Sequence, residues 1–196
     1  MLRVTLGTLR PLLEKNPRLK IVHLVRDPRA VMHSRKYSRY YGVGANDIGD
    51  RTVEENLCDK MLQDIVDLEE LMITFPNRVA VLYYEDLVDN LHTRINELYR
   101  FLNIDYDKGA VNDLAKVITN LAPPQLGIDF QGDRVRNNTK WWRKYMECPD
   151  VEKVNAAYGL VYDKLGYKKL YYITKIRDFS YITYSVPDIF KIPVLT

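Results

Sequence analysis

Two short apolar runs stand out in the pattern of hydrophobic and polar positions, and each predicts a strand. They extend over Leu19–Val25 and Arg78–Tyr84. A short apolar run rich in β-branched residues favours a buried strand with both faces covered. The segment between the runs carries a long helical pattern, and a helical crossover between two buried strands predicts parallel pairing.

The crossover helix has the clearest periodicity in the chain. It begins at Thr52, and Glu55 three residues later completes a capping-box pattern. Its apolar residues recur at three- and four-residue steps, so we expect this stripe to face a core. The stripe consists of Val53, Leu57, Met61, Ile65, Leu68 and Met72.

The rest of the chain predicts further helices and two irregular regions. The helices are expected at Leu6–Lys15, Pro28–Lys36 (with Asp27 as its N-cap), Leu91–Leu102, Lys108–Asn120 and Asp150–Leu165, the last ending at Gly166. Ala122–Asp133 is predicted to be a loop, and Lys168–Thr196 lacks a helical period and predicts short strands or irregular structure. The fold class is therefore α/β, with a parallel sheet flanked by helices in one domain.

Composition narrows the class of protein. The chain has 196 residues, 46% hydrophobic and 28% charged, which is typical of one globular domain and excludes a disordered or collagen-like chain. A net charge of +3 is compatible with a small anionic ligand but too weak to indicate nucleic acid. No stretch approaches the roughly 18 consecutive apolar residues of a membrane span, and the first residues do not resemble a signal peptide. The chain by itself thus reads as cytosolic or as part of a longer protein.

The two cysteines leave two alternatives open. Cys58 and Cys148 are too few for a zinc site and too far apart for a CxxC motif. They could pair in an oxidising compartment or remain as two buried free thiols. We expect no metal site.

The first candidate site follows the first predicted strand. Ligands bind at the carboxyl ends of parallel strands, where Arg26 leaves the strand and Ser34 lies on the following helix. Together they could present a guanidinium and a hydroxyl to one anion, each bond contributing roughly 1.5–3 kcal/mol. In the alternative interpretation Arg26 pairs with an acid, Asp27 only caps the helix and Ser34 faces solvent.

Two more candidates lie further along the chain. Tyr84, at the end of the second strand, could pack against a flat base, while Glu85 or Asp86 orients an arginine; alternatively Tyr84 is core and the acids favour a helix start. Arg134–Arg143 combines cations with two tryptophans, which suits a phosphate and a heterocycle. Its alternative is a solvated basic loop whose tryptophans plug the core.

Taken in order, these segments resemble one family. RDPRAVMHSR after a buried strand, then RVAVLYYEDL, LYRFLNI, NNTKWWRKYM and YDKLGYK resemble the sulfotransferases, most closely the carbohydrate (galactose, N-acetylgalactosamine and N-acetylglucosamine) 6-O-sulfotransferases. The resemblance covers about Leu19 to Lys168. It implies a P-loop-NTPase-like sulfotransferase fold, with residues 1–168 as a partial sulfotransferase domain and 169–196 as an extension of unknown structure.

The resemblance also implies a reaction and its ligands. These enzymes transfer the sulfuryl group of 3′-phosphoadenylyl sulfate to a hydroxyl, here a sugar hydroxyl on a glycan or proteoglycan. Arg26 and Ser34 match the pair that grips the 3′-phosphate, and Tyr84 matches the tyrosine at the nucleotide end. Arg136 is the best candidate for the late arginine that closes over the donor. No metal and no nucleic acid are implied. Family members are Golgi membrane proteins that face the lumen, so membrane attachment would need an anchor beyond this chain.

Two departures from the family pattern shape the expectations. No glycine-serine-rich RxGSS loop precedes Leu19, so we expect an N-terminally truncated domain without its first strand and 5′-phosphosulfate loop. The gap between Arg136 and Trp142 is also a few residues shorter than in the family. Because the resemblance implies that sulfuryl transfer takes place at the RxGSS loop, we assign no catalytic residue. His23, inside the first strand, is expected to be a core residue.

The departures leave more than one function open. In the first interpretation the protein is a sulfotransferase, and whether this chain alone transfers the sulfuryl group is left open. In the second it is a non-catalytic remnant of a sulfotransferase that serves as a nucleotide-binding module or a scaffold. A P-loop kinase is disfavoured because no GxxxxGK[ST] motif occurs.

Overall fold

The computed structural model describes residues 5–37, 53–113 and 132–193. The strands are β1 (Ile21–Val25) and β2 (Val79–Tyr83). The helices are α1 (Arg10–Lys15, after a 3-10 turn at Leu6–Leu9), α2 (Pro28–Tyr37), α3 (Val53–Thr74), α4 (Tyr84–Asp89), α5 (Leu91–Leu102), α6 (residues 108–113), α7 (Gly132–Tyr145), α8 (Cys148–Ala157), α9 (Gly159–Leu165) and α10 (Ile173–Arg177), with a last 3-10 turn at Asp188–Phe190.

The two strands pair in parallel, which confirms the prediction from the crossover helix. In the register, Ile21 faces Val79 and Val25 faces Tyr83. All five residues of β2 are buried, as expected for a strand covered on both faces. The same expectation is wrong for β1, because Leu24 is 50% exposed.

The junction between β1 and α2 has the predicted cap. Asp27 Oδ1 accepts a hydrogen bond from the backbone N–H of Arg29 at 2.9 Å, and Pro28 is the first helical residue. An N-cap carboxylate satisfies a backbone donor that the helix itself leaves unpaired. The capping box at Thr52 lies outside the described residues.

The stripe on α3 faces the core but is wider than predicted. Ile65 and Leu68 are buried as expected, and Leu57, Met61 and Met72 pack partly buried against the core. Leu71 and Cys58 are also buried. Because both α8 and α9 pack against the crossover helix α3, the buried face of α3 is wider than the predicted stripe.

The predicted helix Asp150–Leu165 is two helices rather than one. They meet at Tyr158, whose backbone has φ −101° and ψ 18° and is not helical. The Cys58 thiol donates to the carbonyl of Ala157 at this point, a tertiary contact that periodicity does not show. Gly166 ends α9 with φ 71°, as predicted.

The last residues pack against the core mainly through short helices and irregular backbone. Leu170, Ile176 and Phe190 join the central hydrophobic cluster. The short strands considered for this region are wrong, since the described part holds α10, a 3-10 turn and one antiparallel bridge between Tyr167 and Tyr184. The predicted loop Ala122–Asp133 falls largely outside the described residues, and its end, Gly132-Asp133, is already in α7.

Neither cysteine forms a disulfide; Cys58 is buried and Cys148 is partly buried. Within the described ranges, no helix is both long and apolar enough to cross a membrane.

Candidate functional site

The carboxyl ends of the two strands bring Arg26 and Tyr84 together. Because Val25 is paired with Tyr83, the next residue of each segment leaves the sheet at the same edge. The guanidinium carbon of Arg26 lies 4.8 Å from the centre of the Tyr84 ring, a cation–π contact. Burial raises the pKa of the half-buried Tyr84, and the positive charge of Arg26 opposes that shift. The two residues that sequence reasoning placed at separate strand ends thus form one unit.

Ser34 lies on α2, past the junction that carries Arg26. Its side chain is exposed. The solvent-facing alternative for Ser34 therefore agrees with its exposure, and its role toward an anion stays a prediction.

The basic-aromatic segment divides into parts with different roles. It is helical in α7, so the loop interpretation is wrong. Trp142 is buried in the core and plugs it, as the alternative held, while Trp141 is 38% exposed. Arg143 is buried as well, and its guanidinium donates to carbonyl oxygens of Lys175, Ile176, Asp178 and Tyr181. The side chain of Arg136 lies outside the described part of the structure.

Glu85 connects the segment that carries Arg26 to the segment that carries Tyr84. Its Oε1 accepts the backbone N–H of Asp27 at 2.9 Å, and its Oε2 accepts the Tyr167 hydroxyl at 3.0 Å. Only 5% of Glu85 is exposed. Burial, reinforced by the nearby Asp27 charge, raises the pKa of Glu85 to about 7. Glu85 is thus not merely an acid at a helix start.

Asp27 forms a buried ion pair in addition to its cap. Arg29 Nε lies 2.9 Å from Asp27 Oδ1, and Arg29 Nη2 lies 2.8 Å from Oδ2. Arg29 also donates to the Lys168 carbonyl at 2.9 Å. Its guanidinium carbon lies 4.4 Å from the centre of the Trp142 ring and 5.0 Å from that of the Tyr162 ring. Burial lowers the pKa of Arg29, but the Asp27 carboxylate together with Tyr162 and Tyr167 raises it, and the net shift of the pKa is upward.

Sequence reasoning missed this network. The spacing of Asp27 and Arg29 is its one local signal, because an acid and a guanidinium two residues apart can meet at a helix start. Nothing local indicated Tyr167 as a partner of Glu85, since the two are 82 residues apart.

The remaining predictions near the strands have mixed outcomes. Asp86 lies in the first turn of α4, as the helix-start alternative held, and it also pairs with Arg94 of α5, with Asp86 Oδ2 2.6 Å from Nε. His23 is partly buried in β1, so its core assignment is confirmed in part. Burial lowers the pKa of His23, and Asp64 opposes the shift.

Comparison with known proteins identifies the family. The model of the sulfotransferase family matches residues 3–108, more than half of the chain. The chain belongs to the sulfotransferase family. The matched range includes Arg26, Ser34 and Tyr84, and Arg136 lies after it.

The curated relatives to which this sulfotransferase chain is similar are named carbohydrate sulfotransferases. It is 27% identical over 178 residues to carbohydrate sulfotransferase 4 of Mus musculus, covering 84% of this chain and 46% of that protein. It is 24% identical over 181 residues to carbohydrate sulfotransferase 1 of Danio rerio, with coverage of 85% and 43%. For carbohydrate sulfotransferase 1 of Homo sapiens the identity is 29% over 177 residues, with coverage of 82% and 42%. The chain thus spans less than half the length of these relatives.

Proposed function

We propose that this protein is a carbohydrate sulfotransferase that transfers the sulfuryl group of 3′-phosphoadenylyl sulfate to a sugar hydroxyl. In that reaction the hydroxyl oxygen bonds to sulfur, and the bond from sulfur to the 5′-phosphate oxygen breaks. Adenosine 3′,5′-bisphosphate leaves, and the hydroxyl proton passes to a base that we do not assign. The family match and the names of the relatives support this proposal.

The stacking of Arg26 on Tyr84 is the observation that carries it. A multiply charged nucleotide needs fixed cations, and a cation held in place before binding requires little reorganisation. Arg26 supplies such a charge beside an aromatic ring, at the edge of the sheet where ligands of parallel sheets bind. In the proposal Arg26 and Ser34 hold the 3′-phosphate, Tyr84 lies at the nucleotide end and Arg136 closes over the donor.

The proposal includes the setting of the reaction. The acceptor would be a glycan or proteoglycan, and the reaction would take place in the Golgi lumen. The domain would have a P-loop-NTPase-like fold. Residues 1–168 would form the sulfotransferase part of the chain, and 169–196 an extension of it.

A nucleotide-binding module without transfer activity is the second candidate. It requires only the contacts of a nucleotide with the edge of the sheet, where Arg26 lies against Tyr84, and no catalytic base. Such a module would bind adenosine 3′,5′-bisphosphate but would not move a sulfuryl group.

Calorimetric titration of two nucleotides tests the donor assignment. We expect tighter binding of adenosine 3′,5′-bisphosphate than of adenosine 5′-monophosphate. Arg26→Ala should weaken the bisphosphate roughly 10- to 100-fold, since a hydrogen bond to a charged group contributes about 1.5–3 kcal/mol, and should barely change the monophosphate. Ser34→Ala should act in the same direction.

Arg100→Ala is the matched control, because Arg100 is an exposed arginine in the last turn of α5. It should leave both affinities unchanged. Equal losses for both nucleotides in Arg26→Ala would contradict the assignment. Transfer of radiolabelled sulfuryl from the donor to a glycan then separates the two candidates: binding without transfer indicates the module.

A further inference from the structure

A buried hydrogen bond joins the segments that carry Arg26 and Tyr84. Asp27 directly follows Arg26, and Glu85 directly follows Tyr84. The Asp27 N–H donates to Glu85 Oε1 at 2.9 Å, although the two residues are 58 positions apart. Asp27 is 1% exposed and Glu85 5%, so water does not substitute for this acceptor. The bond therefore fixes how the two strand ends lie relative to each other.

The other carboxylate oxygen of Glu85 is held from the end of the chain. The Tyr167 hydroxyl donates to it at 3.0 Å, and Tyr167 is itself buried. Tyr167 is fixed by its antiparallel bridge to Tyr184 and by the turn at Gly166. Both oxygens of Glu85 are thus occupied, and its rotation is blocked.

The stacking of Arg26 on Tyr84 depends on this arrangement. The side chains of Arg26 and Tyr84 need not contact Glu85. Glu85 instead holds the backbone segments that carry them, since it follows Tyr84 and accepts the N–H of the residue after Arg26. Loss of the acceptor would leave the Asp27 N–H buried and unpaired, which is unfavourable, unless the junction moved. A displacement of about 1 Å in a binding group can lower the rate of a reaction roughly 100-fold.

We propose that Glu85 is a positioning residue for the donor phosphate, holding Arg26 against Tyr84 through the Asp27 N–H, with Tyr167 holding Glu85 in turn. This inference rests on the proposed function, since only that function makes Arg26 a contact of the 3′-phosphate. Glu85 itself does not touch the nucleotide. Its effect on binding passes through the backbone of the β1–α2 junction.

Substitutions at position 85 separate the hydrogen bond from the charge. Glutamine retains a carbonyl oxygen for the Asp27 N–H and can donate from its amide to the Tyr167 oxygen. Alanine removes both contacts. If Glu85 acts by position, Glu85→Gln should behave like the wild type and Glu85→Ala should not.

The measurement is the ratio of affinities for adenosine 3′,5′-bisphosphate and adenosine 5′-monophosphate. We expect Glu85→Ala to lower this ratio about 10-fold or more, Glu85→Gln to keep it within about threefold of the wild type, and Tyr167→Phe to lower it by an intermediate factor. Amide hydrogen exchange at Asp27 should be fast in Glu85→Ala and slow in Glu85→Gln. Leu71→Ala is the control, since it removes a buried side chain of α3 and should lower stability without changing the ratio.

The outcomes distinguish this inference from the function on which it rests. A wild-type protein with no preference for the bisphosphate overturns the proposed function and this inference with it. A preference that Glu85→Ala leaves intact overturns only the inference, and so does a loss in Glu85→Gln as large as that in Glu85→Ala. Where Glu85→Ala does not fold, Tyr167→Phe decides: a lowered ratio supports the inference, and an unchanged one overturns it.

Discussion

Arg29 and Asp27 form a two-pronged ion pair with almost no solvent contact: Arg29 Nη2 lies 2.8 Å from Asp27 Oδ2, and the side chains are 0% and 1% exposed. A carboxylate and a guanidinium so fully removed from water stabilise the fold only as a pair. The Asp27 carboxylate also accepts the backbone N–H of Arg29, and the Arg29 guanidinium donates to the Lys168 carbonyl. The backbone N–H of Asp27 donates to Glu85. The pair therefore links α2 to the strand ends and to the last part of the chain.

Removing one charge of this pair should destabilise the protein strongly. Asp27→Asn keeps an oxygen for the helix cap but leaves Arg29 buried without a counter-charge. We expect the free energy of unfolding in urea to fall by about 3–5 kcal/mol. Glu70→Gln, which breaks the exposed pair with Arg10, should cost less than about 1 kcal/mol. Similar small losses in both variants would contradict the interpretation of a buried pair.

Arg143 should control whether the end of the chain stays docked. Its guanidinium is surrounded by four backbone carbonyls, which are those of Lys175, Ile176, Asp178 and Tyr181. Arg143→Met fills a similar volume but leaves these acceptors unpaired, so we expect a loss of about 2–5 kcal/mol and faster tryptic cleavage near Arg177. Lys144→Met, at the exposed neighbour, should change neither measurement. Unchanged cleavage in Arg143→Met would show that the hydrophobic contacts of this segment suffice to dock it.

Gly166 should not tolerate a side chain. It has φ 71°, and an added Cβ would lie 2.0 Å from the backbone oxygen of Ser185. We expect Gly166→Ala to cost at least about 2 kcal/mol, because both the backbone conformation and the contact are unfavourable. Gly159→Ala is the matched control: its Cβ would have its nearest contact, at 3.5 Å, with the flexible end of Lys169. That variant should be neutral or slightly stabilising in thermal unfolding, and an equal loss in both would disprove the steric explanation.

Glu85 should make stability depend on pH. Its pKa is raised from 4.5 to about 7 in the folded protein, chiefly by burial. The folded state therefore binds more protons than the unfolded state between these values, and the stability contributed below pH 4.5 is lost as pH rises toward 7. The loss amounts to about 3 kcal/mol.

Glu85→Gln isolates this effect, because glutamine resembles the protonated acid and does not titrate. The difference in unfolding free energy between Glu85→Gln and the wild type should grow in favour of the variant from pH 4.5 to 8. Glu14→Gln, at an exposed position of α1, serves as the control and should show no such trend. A flat difference for Glu85→Gln would mean that Glu85 keeps its ordinary pKa.

The local part of the site could be predicted from the sequence. The cap at Asp27, the bounds of α5 and the parallel pairing of the strands follow from patterns within a few residues or one crossover, and the structure confirms them. The strand pattern also placed Arg26 and Tyr84 at the carboxyl ends of two strands that were predicted to pair in parallel. The register that pairs Val25 with Tyr83 brings the two ends to the same edge of the sheet, where the guanidinium of Arg26 lies against the Tyr84 ring.

The partners of the buried polar groups could not be predicted. Tyr167 approaches Glu85 from 82 positions away, and Arg143 finds its carbonyls 32–38 positions away. Periodicity records which face of an element is apolar, but it does not record which distant donor meets a buried acceptor. For the same reason the break at Tyr158, where Cys58 contacts the Ala157 carbonyl, was missed.

The sequence by itself determined the order of strands and helices and the residue types at the strand ends, because hydrophobic period and capping act over short distances. Only the tertiary structure decided that Asp27, Arg29, Glu85 and Tyr167 form one buried network, because a charged group removed from water must find partners wherever the packed chain brings them.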